Sequence, residues 1–341
     1  MDEWRDVWRG CERFAFGMPG PGPGDRYGEG GSVERLEGRV AGLLGKDAAV
    51  WMPSGTMAQQ IALRIHADAR SRRAVAFHPY CHLDTHEERG YAVLHGLHAV
   101  HLGSRERLVR AADVEALREP VAAVLLEIPQ RDLGGQVPER EDLVATCEAA
   151  RARGAALHLD GARLWQCPDP GEIAALFDTV YVSLYKDLGA PAGCVLAGPA
   201  DFVAEARVWQ IRHGGRMFSV APLVEPAERA LDEVLPRMGE LRAHARESAA
   251  ALNDLDGVTI LPCPPHAAMF HAFVRRPLDA LNDAVTAVAR ETGVWPGCRG
   301  GATEDPEVQR CEVTATIASL AVPVGETVAL WRDVLSRSAS A

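Results

Sequence analysis

The feature that most constrains the fold is a regular alternation of short apolar runs with helix-forming stretches over residues 48–212. Seven apolar runs are predicted strands: 48–54, 73–77, 98–102, 121–128, 155–160, 179–185 and 193–198. Five intervening or following stretches are predicted helices: 56–70, 105–118, 139–153, 171–176 and 200–212. Because the runs are continuously hydrophobic rather than alternating, the strands should be buried on both faces. The pattern predicts an α/β domain with a mostly parallel central sheet flanked by helices.

The regions on either side of this block suggest three parts: 1–31, 32–221 and 222–341. The first is an N-terminal arm with a glycine- and proline-rich loop, in which neither helix nor strand should persist. The second is the large α/β domain, whose first helix we expect Ser32 to cap and Gly45 to end. The third is a linking helix and a small α+β domain.

The third part contains less regular patterns. Its predicted elements are a long helix over 222–251, strand-like runs over 258–263, 267–274 and 311–318, and a helix over 278–292. These segments are compatible with a small C-terminal α+β domain joined to the large domain by the long helix.

The composition excludes several classes of partner. The net charge is −11 and no dense basic block occurs, so binding to nucleic acid or to anionic membranes has no support. The eight cysteines are scattered without a CxxC pair, which is typical of reduced thiols rather than of a disulfide framework or a zinc site. The start of the chain has no apolar signal segment, and no apolar run approaches the ~18 residues of a membrane span. We therefore expect a cytoplasmic protein.

A lysine and an aspartate follow two of the predicted strands. Asp160 ends the run 155–160, and Lys186, one of only two lysines in the chain, follows the run 179–185. Parallel strands would bring both to the carboxyl edge of the sheet, where α/β folds bind ligands. A lysine can form an imine with an aldehyde, which arginine cannot, and a carboxylate can keep a pyridine nitrogen protonated. Either residue alone would suggest only a helix cap or a surface side chain, but the pair predicts pyridoxal 5'-phosphate as cofactor.

A third element supports this prediction. Ser54, Gly55 and Thr56 lie where an apolar strand turns into a helix. Small residues at a helix N-terminus let several backbone N–H groups converge on an anion that the helix dipole favours. The turn is a candidate phosphate site, although an ordinary N-cap has the same pattern.

Five segments together resemble low-specificity threonine aldolases, which are fold-type-I pyridoxal-phosphate enzymes of the β-eliminating lyase group. They are WMPSGTMAQQIAL, CHLDTHEERG, LEIPQRDLGG, HLDGARLWQ and SLYKDLGAPAG, within a resemblance that covers about residues 25–217. The resemblance implies that Lys186 holds the cofactor aldehyde and that Asp160 pairs with the ring nitrogen. It also implies that Ser54, Gly55 and Thr56 bind the phosphate. Members of the family are homotetramers built from dimers, with active sites at the dimer interface.

The resemblance implies further roles at the site. His82 matches the histidine that stacks on the cofactor ring, and Arg163 matches the arginine near its phenolic oxygen. Gln130 stands where aldolases usually carry a histidine that touches the β-hydroxyl, and a glutamine cannot act as a base near neutral pH. Arg310 precedes Val-Thr with one more residue than the family's carboxylate-binding arginine. The predicted substrate-binding residues are therefore Arg310, Gln130 and Arg163, and the predicted catalytic residues are Lys186, His82 and Asp160.

The sequence differs from the family pattern at two further positions. The N-terminal arm offers no match for the family's substrate-holding serine. Phe218 stands where the family usually carries an arginine that reaches the phosphate, and Arg216 is a possible substitute.

The leading hypothesis is aldol cleavage of a β-hydroxy-α-amino acid, such as threonine or allo-threonine, to glycine and an aldehyde. Within the same fold, a β-eliminating lyase, a racemase and a biosynthetic aldolase with another amino-acid substrate are alternatives. A non-catalytic binding or assembly protein is an alternative of another class. His78, His82 and His86 recur every four residues and suggest a metallohydrolase, but Pro79 interrupts the helix that would align them, so no metal is expected.

Overall fold

The computed structural model describes residues 25–339, so most of the predicted arm and loop over 1–31 lies outside the described residues. Within the described range the α-helices are α1 Gly31–Leu44, α2 Gly55–Arg70, α3 His82–Thr85, α4 Gly90–His95, α5 Ala111–Glu115, α6 Arg140–Ala152, α7 Pro170–Ala174, α8 Ala200–Arg212, α9 Ala221–Glu233, α10 Met238–Asn253, α11 Leu278–Thr292 and α12 Val324–Ser338. In the same range the strands are β1 Ala48–Met52, β2 Ala74–Phe77, β3 His98–His101, β4 Ala123–Glu127, β5 Ala156–Gly161, β6 Thr179–Ser183, β7 Cys194–Gly198, β8 Val258–Leu261, β9 Met269–Arg275, β10 Gly300–Ala302 and β11 Val308–Thr314.

The central sheet has seven strands in the order β1-β7-β6-β5-β4-β2-β3. Strands β3, β2, β4, β5 and β6 pair in parallel, whereas β7 is antiparallel to both of its neighbours. The connection from β6 to β7 spans only residues 184–193 and contains no helix, which is too short for a parallel crossover. The prediction of a mostly parallel α/β sheet is confirmed. The short connection also keeps Lys186 at the carboxyl end of β6.

The strands of this sheet are buried in the way that their continuous hydrophobicity predicted. Every residue of β2, β5, β6 and β7 is buried, while the edge strand β3 is partly exposed. Core residues cover both faces of the sheet. The strands are therefore closely packed, and the residues at their carboxyl ends are held in fixed positions.

A second, smaller sheet is antiparallel, in the order β10-β11-β9-β8. Helix α10 packs on it, α11 contacts β10, and α12 contacts both α10 and α11. The separate small sheet agrees with the predicted α+β part. The boundaries 32–221 and 222–341 themselves remain predictions.

Some local predictions were wrong. Helix α1 begins at Gly31 with Gly30 at its N-cap, and Ser32 is buried without capping anything. Instead the Glu34 carboxylate accepts a hydrogen bond of 2.9 Å from the Gly30 N–H. Gly45 ends the helix in the left-handed conformation, as predicted.

Two predicted helices are also shorter than expected. The stretch 105–118 forms only α5, because the Asp113 carboxylate binds the Arg110 N–H and the Arg107 side chain and so starts the helix late. The long helix over 222–251 is divided into α9 and α10 by a 3₁₀ turn over Leu235–Arg237, in which a proline occupies an early position. Strand β10 and helix α12 were not predicted. Among the described helices none combines the length and apolar character needed to cross a membrane.

Candidate active site

One cavity at the carboxyl edge of the central sheet brings most of the predicted site residues together. Its lining consists of Gly55, Thr56, Gln59, His82, Glu87, Glu127, Asp160, Ala162, Arg163, Tyr181, Tyr185 and Lys186. Six of these are predicted site residues, contributed by four different segments of the chain. The other three predicted residues, Ser54, Gln130 and Arg310, do not line this cavity.

Asp160, the predicted partner of the cofactor's ring nitrogen, lies in the cavity lining. Asp160 lies at the end of β5, is 2% exposed, and its Oδ1 accepts a hydrogen bond of 3.1 Å from the Ala162 N–H. Burial raises the pKa of Asp160, and the nearby positive charge of Lys186 opposes that shift. A buried carboxyl group with one backbone donor is suited to hold a second, protonated partner such as a ring nitrogen.

A second carboxyl group, which the sequence analysis missed, stands beside the first. Glu127 ends β4 and is directly paired in register with Asp160 on β5. Its Oε1 accepts from the Arg131 N–H at 3.1 Å and its Oε2 accepts from Gln130 Nε2 at 2.8 Å. Burial and, secondarily, the charge of Asp160 raise the pKa of Glu127 to about 8. The strand-end rule that located Asp160 would also have located Glu127, which closes the run 121–128.

His82 is oriented by a buried glutamate. Its Nδ1 lies 2.9 Å from Glu87 Oε1, and the side chain of Glu87 is 3% exposed against 37% for His82. Because a carboxylate only accepts, Nδ1 carries the proton in the neutral ring and Nε2 is left as the acceptor. Gln60 Nε2 approaches the other oxygen of Glu87 at 3.5 Å. Glu87 was not predicted as a site residue, and its His-x₄-Glu spacing from His82 was the available signal.

The predicted phosphate turn opens α2. Ser54 is the N-cap, and its hydroxyl accepts a hydrogen bond of 3.3 Å from the Met57 N–H. Gly55 and Thr56 form the first turn of this 16-residue helix and face the cavity. A Cβ atom at Gly55 would collide with the hydroxyl group of Tyr181, so glycine is required for this close approach.

A buried chain of hydrogen bonds between α2 and the central sheet reaches the cavity. His66 Nε2 lies 2.8 Å from Thr179 Oγ1, which lies 2.8 Å from His158 Nδ1, and His158 Nε2 lies 2.6 Å from Gln59 Oε1. Burial lowers the pKa of His66 to about 4 and holds that of His158 well below its usual value, so both rings are neutral. Both ring nitrogens of His158 have partners, Thr179 on one and Gln59 on the other. Because His158 is itself held in this way, its contact fixes the Gln59 side chain at the cavity wall.

Beside the cavity, residues of the small sheet contact residues of the large one. Glu312 on β11 contacts Arg163 Nη2 at 3.2 Å and Arg131 Nε at 2.6 Å. Arg310, two residues earlier on the same strand, lies 3.5 Å from Asp132. The structure thus places the predicted substrate residue Arg310 outside the cavity lining, on the strand that carries Glu312.

Gln130 and Arg216 have other partners. Gln130 is 3% exposed, and its side chain lines an adjoining cavity with His78 and Leu126 while donating to Glu127. Arg216 binds the backbone carbonyl of Tyr27 at 2.9 Å and is absent from the cavity lining.

The three regularly spaced histidines do not share a helix. His78 lies in the loop after β2 and contacts the backbone carbonyls of Ser104 and Arg107, while His82 begins α3 and His86 follows its end. Over residues 25–339 no group of three or more His, Cys, Asp or Glu side chains is arranged to hold a metal ion.

The chain is similar to known lyases. A sequence-family model described as "Beta-eliminating lyase" matches residues 22–274. Low-specificity L-threonine aldolase 1 of Arabidopsis thaliana is 30% identical over 251 residues, covering 69% of this chain and 70% of the plant protein. The low specificity L-threonine aldolase of Escherichia coli K12 is 30% identical over 258 residues, covering 70% and 74% of the two chains.

Solved structures agree with the sequence matches. A candidate L-allo-threonine aldolase from Listeria monocytogenes EGD-E superposes with a TM-score of 0.85 at 36% identity, covering 99% of this chain and 93% of the other. A candidate aromatic amino acid β-eliminating lyase/threonine aldolase from Exiguobacterium sp. 255-15 gives a TM-score of 0.86 at 34% identity, covering 98% and 93%.

Proposed function

This chain belongs to the β-eliminating lyase family, and on that premise we propose that it is a pyridoxal-phosphate-dependent carbon–carbon lyase of the threonine aldolase kind. Its substrate would be a β-hydroxy-α-amino acid, such as threonine or allo-threonine, and its products glycine and an aldehyde. The observation that carries the proposal is the single cavity that joins Lys186, Asp160 and His82 with the start of α2.

The residues of the cavity fit the cofactor by their chemistry. Lys186 offers the amine for the aldehyde group, Asp160 offers a buried carboxylate for the ring nitrogen, and Gly55 and Thr56 offer a helix N-terminus for the phosphate. Arg163, also in the lining, is a candidate partner for the phenolic oxygen. When bound, the cofactor supplies an electron sink for negative charge at the substrate Cα.

The side chains of this protein would then handle the protons. His82, held by Glu87 with Nε2 free, takes the proton of the β-hydroxyl group. The Cα–Cβ bond breaks, its electron pair stays with Cα, and Cβ leaves as the aldehyde carbon. A proton delivered to Cα completes glycine. Arg163 and Arg310 are the candidates for holding the substrate carboxylate, as bidentate arginine–carboxylate pairs do elsewhere.

The test is product analysis of the purified protein with pyridoxal phosphate and a panel of threonine, allo-threonine and phenylserine isomers. We expect glycine and the matching aldehyde in equal amounts. An α-keto acid with ammonia would instead support the β-eliminating alternative. If no isomer is cleaved, the aldolase proposal is wrong.

We also propose a homodimer or homotetramer with the active site at the dimer interface. Four exposed apolar side chains on α4 and α8 support such an interface. On α4, Val93 is 80% exposed and Leu94 is 64% exposed; on α8, Val208 is 46% exposed and Ile211 is 52% exposed. The two helices adjoin through His95 and Trp209, whose ring centroids are 5.7 Å apart. Exposed apolar clusters of this kind mark association surfaces. Light scattering of Leu94→Asp beside the unmodified protein would test this, with a smaller particle expected for the variant.

A cytoplasmic location is likewise a proposal. Its support is that the seven cysteines in the described part of the chain are all free thiols.

A further inference from the structure

We propose that Glu312 occupies the place of a substrate carboxylate on Arg163, so that it competes with the amino acid and sets its affinity. Glu312 would thus be a specificity-determining residue of the site. The inference rests on the amino-acid-binding part of the proposed function, but it does not depend on which bond of the amino acid is cleaved.

The position of Glu312 supports this role. It lies on β11 of the small sheet, directly paired with the buried His271 on β9, and it reaches across to the large domain. Of the two arginines that it contacts within residues 25–339, Arg131 and Arg163, only Arg163 lines the cofactor cavity. A carboxylate of the protein therefore occupies an arginine of the cavity lining.

The contact between Glu312 and Arg163 is well suited to exchange. It is a single approach of 3.2 Å between one nitrogen and one oxygen, and the Glu312 side chain is 28% exposed. A substrate carboxylate could accept hydrogen bonds from two nitrogens of the Arg163 guanidinium, one at each of its oxygens. Such a bidentate pair is stronger than the single contact that Glu312 makes. Glu312 would keep Arg131, whose Nε lies 2.6 Å from its other oxygen, so displacement does not leave a charge unpaired.

The charges around Glu312 indicate the class of ligand. Arg131, Arg163 and Arg310 lie near the carboxylates of Glu312 and Asp132, and the buried Asp187 also lies near Arg163. A ligand carboxylate that replaces Glu312 on Arg163 leaves the number of carboxylates at that arginine unchanged, and the displaced Glu312 stays close by on Arg131. A second acidic group on the ligand would be repelled by these carboxylates, so we expect amino acids with uncharged side chains rather than acidic ones.

The experiment is a titration of the cofactor-loaded protein with glycine, followed by the cofactor's visible absorption. Glycine carries the carboxylate and the amine but has no Cβ, so the measurement follows association with the loaded protein without Cα–Cβ cleavage. In Glu312→Gln, which keeps the size and removes the charge, we expect glycine to bind about three- to tenfold more tightly, as loss of a partly exposed competing ion pair implies. Glu312→Ala should change affinity in the same direction.

Glu307→Gln is the matched control. Glu307 precedes the same strand and pairs with Arg275 at 2.8 Å, away from the cavity, so the same chemical change there should leave glycine affinity unaltered. Unchanged or weaker glycine binding in both Glu312 variants would overturn the proposal, because weaker binding would mean that Glu312 positions Arg163 for the substrate. If glycine binds more tightly but no β-hydroxy amino acid is cleaved, the proposed function fails while this inference stands.

Discussion

The substitution Gly55→Ala tests the packing that holds the proposed phosphate turn against the sheet. A Cβ atom at this position would overlap the hydroxyl oxygen, Cζ and Cε2 of Tyr181. Tyr181 is 2% exposed on the central strand β6, so its ring has little room to withdraw. Overpacking a buried site costs about 1–3 kcal/mol, and the reduced freedom of the unfolded alanine chain returns about 0.4–1 kcal/mol. We expect a net loss of about 1–2 kcal/mol in the free energy of unfolding.

Two further variants test whether the loss of stability comes from the contact with Tyr181. Gly38→Ala is the control, because Gly38 is an exposed residue inside α1 with nothing within 4 Å of an added Cβ; it should stabilise the protein by about 0.5–1 kcal/mol. Tyr181→Phe removes the nearest atom of the clash, so the Gly55→Ala/Tyr181→Phe double variant should lose less stability than the sum of the single changes.

The assays for this series are urea unfolding of the cofactor-free protein and pyridoxal-phosphate titration of the same samples. Displacement of the first turn of α2 should also weaken cofactor binding in Gly55→Ala but not in Gly38→Ala. If Gly55→Ala is as stable as the unmodified protein, the inferred close contact is wrong; if the changes at Gly55 and Tyr181 are simply additive, the hydroxyl group is not the part of Tyr181 that resists the added Cβ.

Three further outcomes are expected. Lys186→Ala should abolish the borohydride-fixed cofactor adduct seen by mass spectrometry, whereas Lys46→Arg, at the other lysine, should retain it. Glu87→Ala should lower kcat by about 100-fold or more and disturb its pH profile, because His82 loses the partner that sets its tautomer; Glu87→Gln, which still accepts from Nδ1, should lose less. Between pH 4.5 and about 8 the raised pKa of Glu127 contributes a loss of stability as pH rises, of up to about 1.4 kcal/mol per pH unit, because the folded protein keeps a proton that the unfolded chain has released. The buried neutral histidines His66, His158 and His271 act in the opposite direction below pH 6.5, so the Glu127 contribution is read as a difference between two proteins. In urea unfolding at several pH values, the free energy of unfolding of Glu127→Gln should gain on that of the unmodified protein as pH rises, and a difference that does not change with pH would contradict the raised pKa.

Much of the site could be predicted because it depends on strand ends. Continuous apolar runs mark strands buried on both faces, and parallel strands bring their carboxyl ends to one edge. That rule alone placed Asp160 and Lys186 together, and the structure brings both into one cavity. The pattern failed where another local feature was overlooked: Glu34 rather than Ser32 binds the Gly30 N–H, and a proline opens the 3₁₀ turn that divides the helix predicted after residue 221.

The sequence by itself therefore determined the α/β class, the seven central strands and the meeting of an amine with a carboxylate at one sheet edge, because each follows from hydrophobic period and strand direction. Only the tertiary structure decided that His158 holds Gln59 at the cavity wall and that Glu312 reaches Arg163 from the small sheet. Such contacts join residues that can be more than a hundred positions apart. They depend on the distance and angle between packed layers, which no local pattern of side chains specifies.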